Sequence, residues 1–353
     1  MNPINIYNTY INPNAIYQIG EVLKSTMLSE GKLVKQFENT LHEQLGILNP
    51  IAVNSGTTAL HLALLLANVK AGDEVIIPAQ TFVATGLAVL YVGAIPVFAD
   101  INYLDGNIDP ISIKSKITNK TKAIIPVHWG GYPCDMDAIN TIAKENNLIV
   151  IEDAAHAIGA TYYGKPIGSL SDFTCFSFQA IKHITTGDGG ALACQNPEIA
   201  NKALVKRWFG IDRNNAPLSI LGERQYNIST IGYKYHLNDY NAALGLSNLI
   251  GFEQRVQNRR YIAAKYFSEF ENIDGIKLFL YDRNRSSSYW LFGMHVENRT
   301  SFIQALKDKN IATSVIHQRI DRNSIFGELR KDLEQQVKFD LTQIHIPDRK
   351  SVV

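Results

Sequence analysis

Short apolar runs alternate with helical patterns along residues 50 to 195 of this chain. The segments between the runs space their apolar residues as helices do, and one of them, TTALHLALLLANVK, is soon followed by Gly72, a common helix stop. Seven runs predict strands: IAVNS (51–55), EVIIPA (74–79), PVFAD (96–100), KAIIPVHW (122–129), LIVIED (148–153), FTCFSF (173–178) and GALACQ (190–195). Because strands that are apolar throughout must be covered on both faces, the pattern predicts an α/β fold whose mostly parallel, seven-stranded sheet lies between helices.

The pattern changes after about residue 235. The stretch LNDYNAALGLSNLIGFEQRVQNRRYIAAKYFSEF predicts one long or kinked helix. YWLFGMHV, a helical pattern near 300–309, ATSVIH and QIHIP then predict a small α+β unit. We therefore expect a large α/β domain over 1–235, followed over 236–353 by a long linking helix and a small C-terminal α+β domain. Residues 211–230 are rich in Asn, Gly and Arg and predict an irregular loop.

Charge and composition narrow the classes of partner. Lys and Arg total 34 and Asp and Glu 33, a formal net charge of +1 without a dense basic run, so we expect no nucleic-acid or membrane partner. The N-terminal MNPINIYNTYINPN lacks the regions of a signal peptide, and no apolar stretch is long enough to cross a bilayer. Cys134, Cys175 and Cys194 have no CxxC spacing. The chain is therefore expected to be cytoplasmic, without disulfides or a bound metal.

Polar residues follow the predicted strands, at the edge where ligands bind in open α/β sheets. The first strand runs directly into SGTTAL, so Gly56, Thr57 and Thr58 open a helix. A helix N-terminus with free N–H groups and hydroxyls can cradle a phosphate. Ser and Thr are also the usual N-cap residues, and for this segment taken alone the ordinary cap is the better interpretation.

Ionisable residues stand after two later strands. Asp153 ends a buried strand beside Glu152, where a carboxylate needs a partner. The protonated ring nitrogen of a cofactor is one interpretation, and a buried salt bridge or a cap is the alternative. His156, three residues on, fits a structural role when taken alone. Lys182 follows an apolar strand and precedes TTGDGG. A lone lysine is usually solvated, but one desolvated here would have a lowered pKa and could form a Schiff base.

Together, the helix N-terminus, the carboxylate and the lysine describe a site for pyridoxal 5'-phosphate. The helix would bind the phosphate, Asp153 would keep the pyridine nitrogen protonated, and Lys182 would hold the aldehyde as a Schiff base. A nicotinamide-dependent oxidoreductase is one alternative, but no GxGxxG follows the first strand, and GDGG opens a strand rather than a helix. A non-catalytic regulator that keeps the pocket is another.

Six ordered motifs make the chain resemble a known family: SEGKLVKQFENTL, NSGTTALHLAL, AGDEVIIPAQTFVAT, GAIPVFADI, IEDAAHAIGA and SFQAIKHITTGDGG. They resemble the DegT/DnrJ-type sugar aminotransferases, which are fold-type-I pyridoxal-phosphate enzymes. The similarity covers almost the whole chain and is nearest to nucleotide-sugar 4-aminotransferases of the viosamine and perosamine synthase type. A sister branch that dehydrates sugars has His in place of the lysine, and Lys182 aligns with the lysine, with His183 only its neighbour.

The resemblance implies a role for each candidate residue. Lys182 and Asp153 would be catalytic, Phe82 would stack on the cofactor ring, and His156 would lie near the cofactor's phenolic oxygen. The phosphate would be bound by Gly56, Thr57, Thr58 and Ser177, and by Asn238 from the neighbouring subunit of a homodimer with shared active sites. Four loop residues are candidate contacts to the nucleotide or the sugar, with loop scaffolding as the alternative: Trp208, Arg213, His317 and Arg319.

The resemblance also implies the reaction. An amino group would pass from L-glutamate to a nucleotide-linked 4-keto-6-deoxyhexose in two half-reactions. A UDP- or dTDP-linked gluco sugar, giving a viosamine-type product, is the expected substrate. A GDP-linked manno sugar, as in perosamine synthesis, and amination at C3 are the alternatives.

Overall fold

The computed structural model describes residues 4–213 and 215–346. Its helices are α1 (Ala15–Ser25), α2 (Lys32–Leu45), α3 (Gly56–Leu66), α4 (Val83–Tyr91), α5 (Pro110–Lys116), α6 (Met136–Glu145), α7 (Pro197–Arg207), α8 (Asp239–Leu249), α9 (Phe252–Phe270), α10 (Arg299–Asp308) and α11 (Glu334–Thr342). Its strands are β1 (Ile51–Val53), β2 (Glu74–Pro78), β3 (Ile95–Ala99), β4 (Thr121–Ile124), β5 (Ile149–Asp153), β6 (Thr161–Tyr162), β7 (Lys165–Pro166), β8 (Phe173–Ser177), β9 (Gly190–Cys194), β10 (Ile276–Leu278), β11 (Arg285–Ser286), β12 (Phe292–Val296) and β13 (Gln343–Ile346).

The seven strands predicted from the apolar runs form one sheet, in the order β1-β9-β8-β5-β4-β2-β3. The pairs β2–β3, β2–β4, β4–β5 and β5–β8 are parallel, and β9 runs antiparallel to both of its neighbours. The predicted mostly parallel sheet is therefore confirmed. Because the parallel strands share one C-terminal edge, β1, β5 and β8 deliver their following residues to the same side of the molecule.

Two apolar clusters cover the two faces of this sheet. Val150 of β5 packs in the cluster that contains Phe37 of α2, and the next residue, Ile151, packs in the cluster that contains Leu62 of α3. Successive side chains of a strand point to opposite faces. The same alternation sends the next two residues of β5, Glu152 and Asp153, to opposite faces.

The C-terminal part of the chain builds a second, antiparallel sheet, β10-β12-β13, whose apolar face packs against α9. The predicted linking helix is two helices, because Gly251 has a left-handed backbone (φ +69°) that separates α8 from α9. Helix α8 packs on α1 and α2. The division of the chain at residue 235 stays a prediction, and residues 347–353 of its second domain lie outside the described residues.

The segment 211–230 is irregular, as predicted. In its described residues it has no helix or strand beyond an isolated bridge between Leu218 and Arg224. Across residues 4–213 and 215–346, no helix combines the length and the apolar composition that crossing a membrane requires. The cytoplasmic location stays a prediction.

Candidate active site

A cavity of about 360 Å³ lies at the C-terminal edge of the large sheet. Eight of the predicted site residues line it: Gly56, Thr57, Phe82, Asp153, His156, Ser177, Lys182 and His317. They come from the ends of β1, β5 and β8 and from three loops. The fold therefore collects into one place most of the side chains that the sequence marked separately.

The N-terminus of α3 forms one wall of the cavity. Ser55 caps the helix, its hydroxyl accepting from the Thr58 backbone N–H at 3.1 Å, while the Thr58 hydroxyl receives the Ser55 N–H at 3.1 Å. The capping box uses the Thr58 hydroxyl. Thr58 was predicted to bind the phosphate, but it is not among the residues that line the cavity. The backbone N–H groups of Gly56 and Thr57 have no carbonyl within the helix to bond, and they remain as anion donors.

Close backbone approach brings a second hydroxyl to this helix end. A Cβ on Gly56 would lie 2.9 Å from the Cβ of Ser177, so only glycine lets the first turn of α3 press against the end of β8. Ser177 therefore stands beside the free N–H groups of α3. This arrangement fits the phosphate role that was predicted for both residues.

Asp153 is buried and oriented by two donors. Thr85 Oγ1 of α4 donates to Asp153 Oδ2 at 2.8 Å, and the Ala155 backbone N–H donates to Oδ1 at 3.2 Å. Burial raises the pKa of Asp153, and these hydrogen bonds, with the charges of Lys182 and His128, act against that rise. A protonated ring nitrogen would supply the cationic partner that a buried carboxylate needs.

Lys182 lies on the turn after β8, where its N–H donates to the Gln179 carbonyl at 2.9 Å. Burial lowers its pKa to about 7, and the charge of Asp153 opposes this effect. The Lys182 Nζ atom lies over the Trp290 ring. A desolvated amine with such a pKa is neutral often enough at physiological pH to act as a nucleophile or a base.

Two histidines that line the cavity each have a buried ring nitrogen without a hydrogen-bond partner. Burial lowers the pKa of His156 well below its usual value, with the charge of Lys182 acting in the same direction, and burial lowers the pKa of His317 to about 4. His156 Nδ1 and His317 Nε2 are buried without a hydrogen-bond partner. Phe82 faces His317, with the ring centroids 5.1 Å apart, and it exposes 54% of its surface. Neutral imidazoles with free nitrogens, beside an exposed aromatic ring, fit a planar polar ligand.

Two predicted substrate residues lie at a different cavity. Trp208 and Arg213 line one of about 700 Å³. The Arg213 guanidinium lies 4.4 Å from the centroid of the Trp208 ring and pairs with Glu30 at 3.4 Å. Their contacts therefore join the loop after α7 to the turn before α2.

Arg319 and Asn238 are also held away from the cavity of their own chain. The buried Arg319 guanidinium makes two bonds to Asp321, at 2.7 and 2.6 Å, so the structure gives it a partner inside the protein rather than a ligand. Asn238 caps α8, its Oδ1 accepting from the Asn241 N–H at 2.9 Å. Its predicted role in a neighbouring subunit stays a prediction.

The sequence did not single out Thr85 or Trp290. Thr85 stands four residues after Thr81, which precedes α4, and their hydroxyls are 2.7 Å apart. Two threonines at this spacing, at the start of an apolar helical pattern, were the available signal. Trp290 lies within an apolar run before β12, and nothing local distinguishes it from a core residue.

The residues present fit pyridoxal phosphate. The free N–H groups of α3 and the Ser177 hydroxyl suit a phosphate, Asp153 suits a protonated ring nitrogen, and Lys182 suits an aldehyde. The unpartnered nitrogens of His156 and His317 would gain a polar neighbour. The fold and the site thus define the class of pyridoxal-phosphate-dependent transferases.

Comparison with known proteins gives the family. The DegT/DnrJ/EryC1/StrS aminotransferase family matches residues 9–343, and the chain belongs to it. The spore coat polysaccharide biosynthesis protein SpsC of Bacillus subtilis (strain 168) is 40% identical over 350 residues, 96% of this chain and 90% of SpsC. The GDP-perosamine synthase of Escherichia coli O157:H7 is 33% identical over 332 residues, 93% of this chain and 88% of that enzyme. The crystal structure of the sugar aminotransferase CalS13 from Micromonospora echinospora has a TM-score of 0.93 at 31% identity and covers 99% of this chain and 98% of CalS13.

Family membership confirms the enzyme class, the fold and the cofactor that the sequence predicted. The chain is a pyridoxal-phosphate-dependent sugar aminotransferase of the kind that acts on nucleotide-linked sugars.

Proposed function

We propose that this chain transfers the amino group of L-glutamate to C4 of a nucleotide-linked 4-keto-6-deoxyhexose. One observation carries the proposal: Lys182, Asp153 and the N-terminus of α3 line the same cavity. Each of the three has the surroundings that its role needs, namely a buried amine, an oriented carboxylate and free backbone N–H groups.

The chain's own residues account for the binding and the proton movement. When bound, pyridoxal phosphate withdraws the electrons left at the donor's α-carbon as its proton departs. Neutral Lys182 would take that proton and later return it, which its pKa of about 7 permits. Asp153 would hold the ring nitrogen, and α3 with Ser177 would hold the phosphate. Burial of Lys182 and Asp153 would keep water from competing for the proton.

The name of one relative that matches most of this chain favours one of the nucleotides. A GDP-perosamine synthase is similar over 93% of this chain, which favours a GDP-linked 4-keto-6-deoxymannose. The UDP- or dTDP-linked gluco sugars that the family resemblance implies, with a viosamine-type product, form the comparison arm of the test. Amination at C3 is distinguished from amination at C4 by the NMR spectrum of the product.

A spectroscopic titration tests the amino donor and Lys182 together. L-Glutamate should convert the visible spectrum of the bound cofactor to that of its amine form and release 2-oxoglutarate. The Lys182→Ala variant should bind the cofactor in part and show no conversion. A wild-type spectrum that no amino donor changes would indicate a non-catalytic protein of the same fold. The amine-loaded enzyme is then offered GDP-, dTDP- and UDP-linked keto sugars, and recovery of the original spectrum identifies the acceptor.

We further propose that the enzyme is a homodimer with shared sites. An apolar surface covers α1 and the turn after it, where Ile16 exposes 81% and Met27 75% of its surface. Exposed apolar surfaces of this kind mark protein interfaces. The same part of the molecule carries α8, which packs on α1 and bears Asn238 at its N-terminus. A second copy that covered this surface would bring Asn238 towards the neighbouring site.

A further inference from the structure

The indole of Trp290 lies against the amine that the proposed reaction uses. Lys182 Nζ is 3.8 Å from the centroid of the Trp290 ring. Trp290 exposes only 3% of its surface and belongs to the segment that leads into β12, far from Lys182 in sequence. A segment more than 100 residues further along the chain therefore supplies a ring to the lysine.

Three contacts keep this indole in place. Its Nε1–H donates to the carbonyl oxygen of Ile181, the residue before the lysine, at 2.9 Å. The His156 ring stacks on it with centroids 3.9 Å apart and an angle of 15° between the planes. Tyr7 stacks on it with centroids 5.5 Å apart. The indole thus links the backbone of the lysine turn to the imidazole at the cavity.

The charged and titratable groups around Lys182 determine whether the indole can attract its ammonium. Burial lowers the pKa of Lys182, and the carboxylate of Asp153 opposes it. Burial lowers the pKa of three histidines around the amine: His156, His183 and His317. Their rings are therefore neutral near pH 7 and add no positive charge. Arg255 and Arg259 share a small cavity of about 20 Å³ with Lys182. The electron-rich face of an indole attracts a cation under such conditions.

We propose that Trp290 is a positioning residue whose indole face holds the ammonium of Lys182 while that amine is not bonded to the cofactor. The inference rests on the proposed function of Lys182. Only a lysine that alternates between a bond to the cofactor and a free amine needs a second binding partner for that amine. A carboxylate in the same position would hold the ammonium firmly by charge. An aromatic face attracts it more weakly and leaves it free to give up its proton.

Fluorination of the indole tests the attraction directly, because fluorine withdraws electron density from the ring face with little change of shape. The full-length chain is produced with tryptophan, monofluorotryptophan or difluorotryptophan and is stripped of cofactor. The pH dependence of the reaction of Lys182 with a trace of acetic anhydride is then read by mass spectrometry. The titration midpoint of Lys182 should fall stepwise, in total by about one pH unit. Lys265, which lies over the ring of Tyr261, is the internal reference and should not shift.

Two variants separate the attraction from simple burial. Trp290→Phe keeps a ring face, so its midpoint should stay near that of the wild type and should not respond to fluorotryptophan. Trp290→Leu keeps an apolar side chain without the ring, and its midpoint should fall. A midpoint that ignores fluorination, or that rises in Trp290→Leu, would mean that the indole only excludes water, and it would overturn the proposal.

The failure of this inference can be told apart from the failure of the proposed function. The midpoints are measured on the cofactor-free chain and need no turnover. A wild type that does not respond to L-glutamate would contradict the proposed function and leave the midpoint comparison valid. In the converse case, normal turnover with a midpoint that is insensitive to the indole would contradict only the role of Trp290.

Discussion

Two neighbouring carboxylates of β5 have different surroundings and therefore different uses. Glu152 accepts from Thr174 Oγ1 at 3.0 Å and lies 2.8 Å from His128 Nε2, and both members of this pair are fully buried. Asp153 faces the cavity instead. Strand alternation alone separates them. The contacts of Glu152 connect β5 with β8 and with the segment that follows β4, next to the carboxylate that would hold the ring nitrogen.

Lys182 should make the stability of the cofactor-free chain depend on pH. Its pKa is about 7 in the folded chain against an ordinary value of 10.5. Between these values the unfolded chain binds a proton that the folded chain does not, so the free energy of unfolding should rise with pH from about 7 towards 10. Lys182→Met should lack this contribution. Urea unfolding of both proteins at several pH values measures it, and identical slopes would contradict the buried amine.

Thr85 should matter for cofactor affinity rather than for the fold. Thr85→Val keeps the shape of the side chain but removes the hydroxyl that donates to Asp153, a bond that lowers the pKa of that carboxyl. We expect pyridoxal phosphate to bind about 10-fold more weakly, as measured by absorbance titration. Thr40→Val is the control, because its hydroxyl bonds only to the Gln36 carbonyl on an exposed helix face. Equal affinities in both variants would remove Thr85 from the site.

At the scale of elements, the junction of β1 with α3 is built by close backbone contacts. The capping box of Ser55 and Thr58 fixes the first turn of the helix. A Cβ on Gly190, at the start of β9, would lie 2.6 Å from the carbonyl carbon of Ser55. The atoms that this Cβ would meet belong to the backbone of Ser55 and Gly56, and backbone cannot move aside as a flexible side chain can. The position of the helix end therefore depends on Gly190.

Gly190→Ala should therefore destabilise the protein by about 1–3 kcal/mol and weaken cofactor binding, because it pushes on the helix end that would hold the phosphate. Gly20→Ala is the matched control: Gly20 lies within α1, and a Cβ there would meet nothing within 4 Å. That variant should be as stable as the wild type or up to about 1 kcal/mol more stable. Urea unfolding compares the two, and a neutral Gly190→Ala would show that the junction can relax.

At the scale of the whole molecule, the segment before α1 contacts parts of the chain that lie far from it in sequence. Ile4 bridges to Ile311 next to the small sheet, and Tyr7 reaches the indole beside Lys182. The apolar surface of α1 remains uncovered in the single chain. The proposed homodimer would cover this surface and complete each site with Asn238 from the other subunit.

Mixed dimers should reveal shared sites. Asn238→Asp keeps the N-cap acceptor of α8 but places a negative charge where the neighbouring phosphate is expected, so it should lose activity, as should Lys182→Ala. Unfolding and refolding an equal mixture of the two variants should restore about a quarter of wild-type activity, because half of the dimers then have one intact site. A mixture that stays as inactive as its components would place Asn238 in the site of its own chain, and an active Asn238→Asp variant would place it outside both sites.

The sequence by itself determined the seven strands, the helices between them and the residues at the strand ends, because these features depend on spacing along a few neighbouring residues. It also placed Asp153 and Lys182 at one edge of the sheet, since parallel strands share their C-terminal edge. For Asp153 it left the cofactor and a buried salt bridge or cap as alternatives. The Ala155 N–H bonds to this carboxylate, whereas the contact with His128 belongs to Glu152, and the role of Asp153 at a ring nitrogen stays a prediction.

Only the tertiary structure decided which partner each side chain meets. Thr58 turns its hydroxyl into the helix cap, and Arg319 bonds to Asp321 instead of facing the cavity. Trp290 contacts Lys182, although the two residues are far apart in sequence, and no local sequence pattern predicts this contact. The physical reason is that backbone pattern depends on short-range periodicity, whereas side-chain partners depend on packing between segments that are distant in the chain.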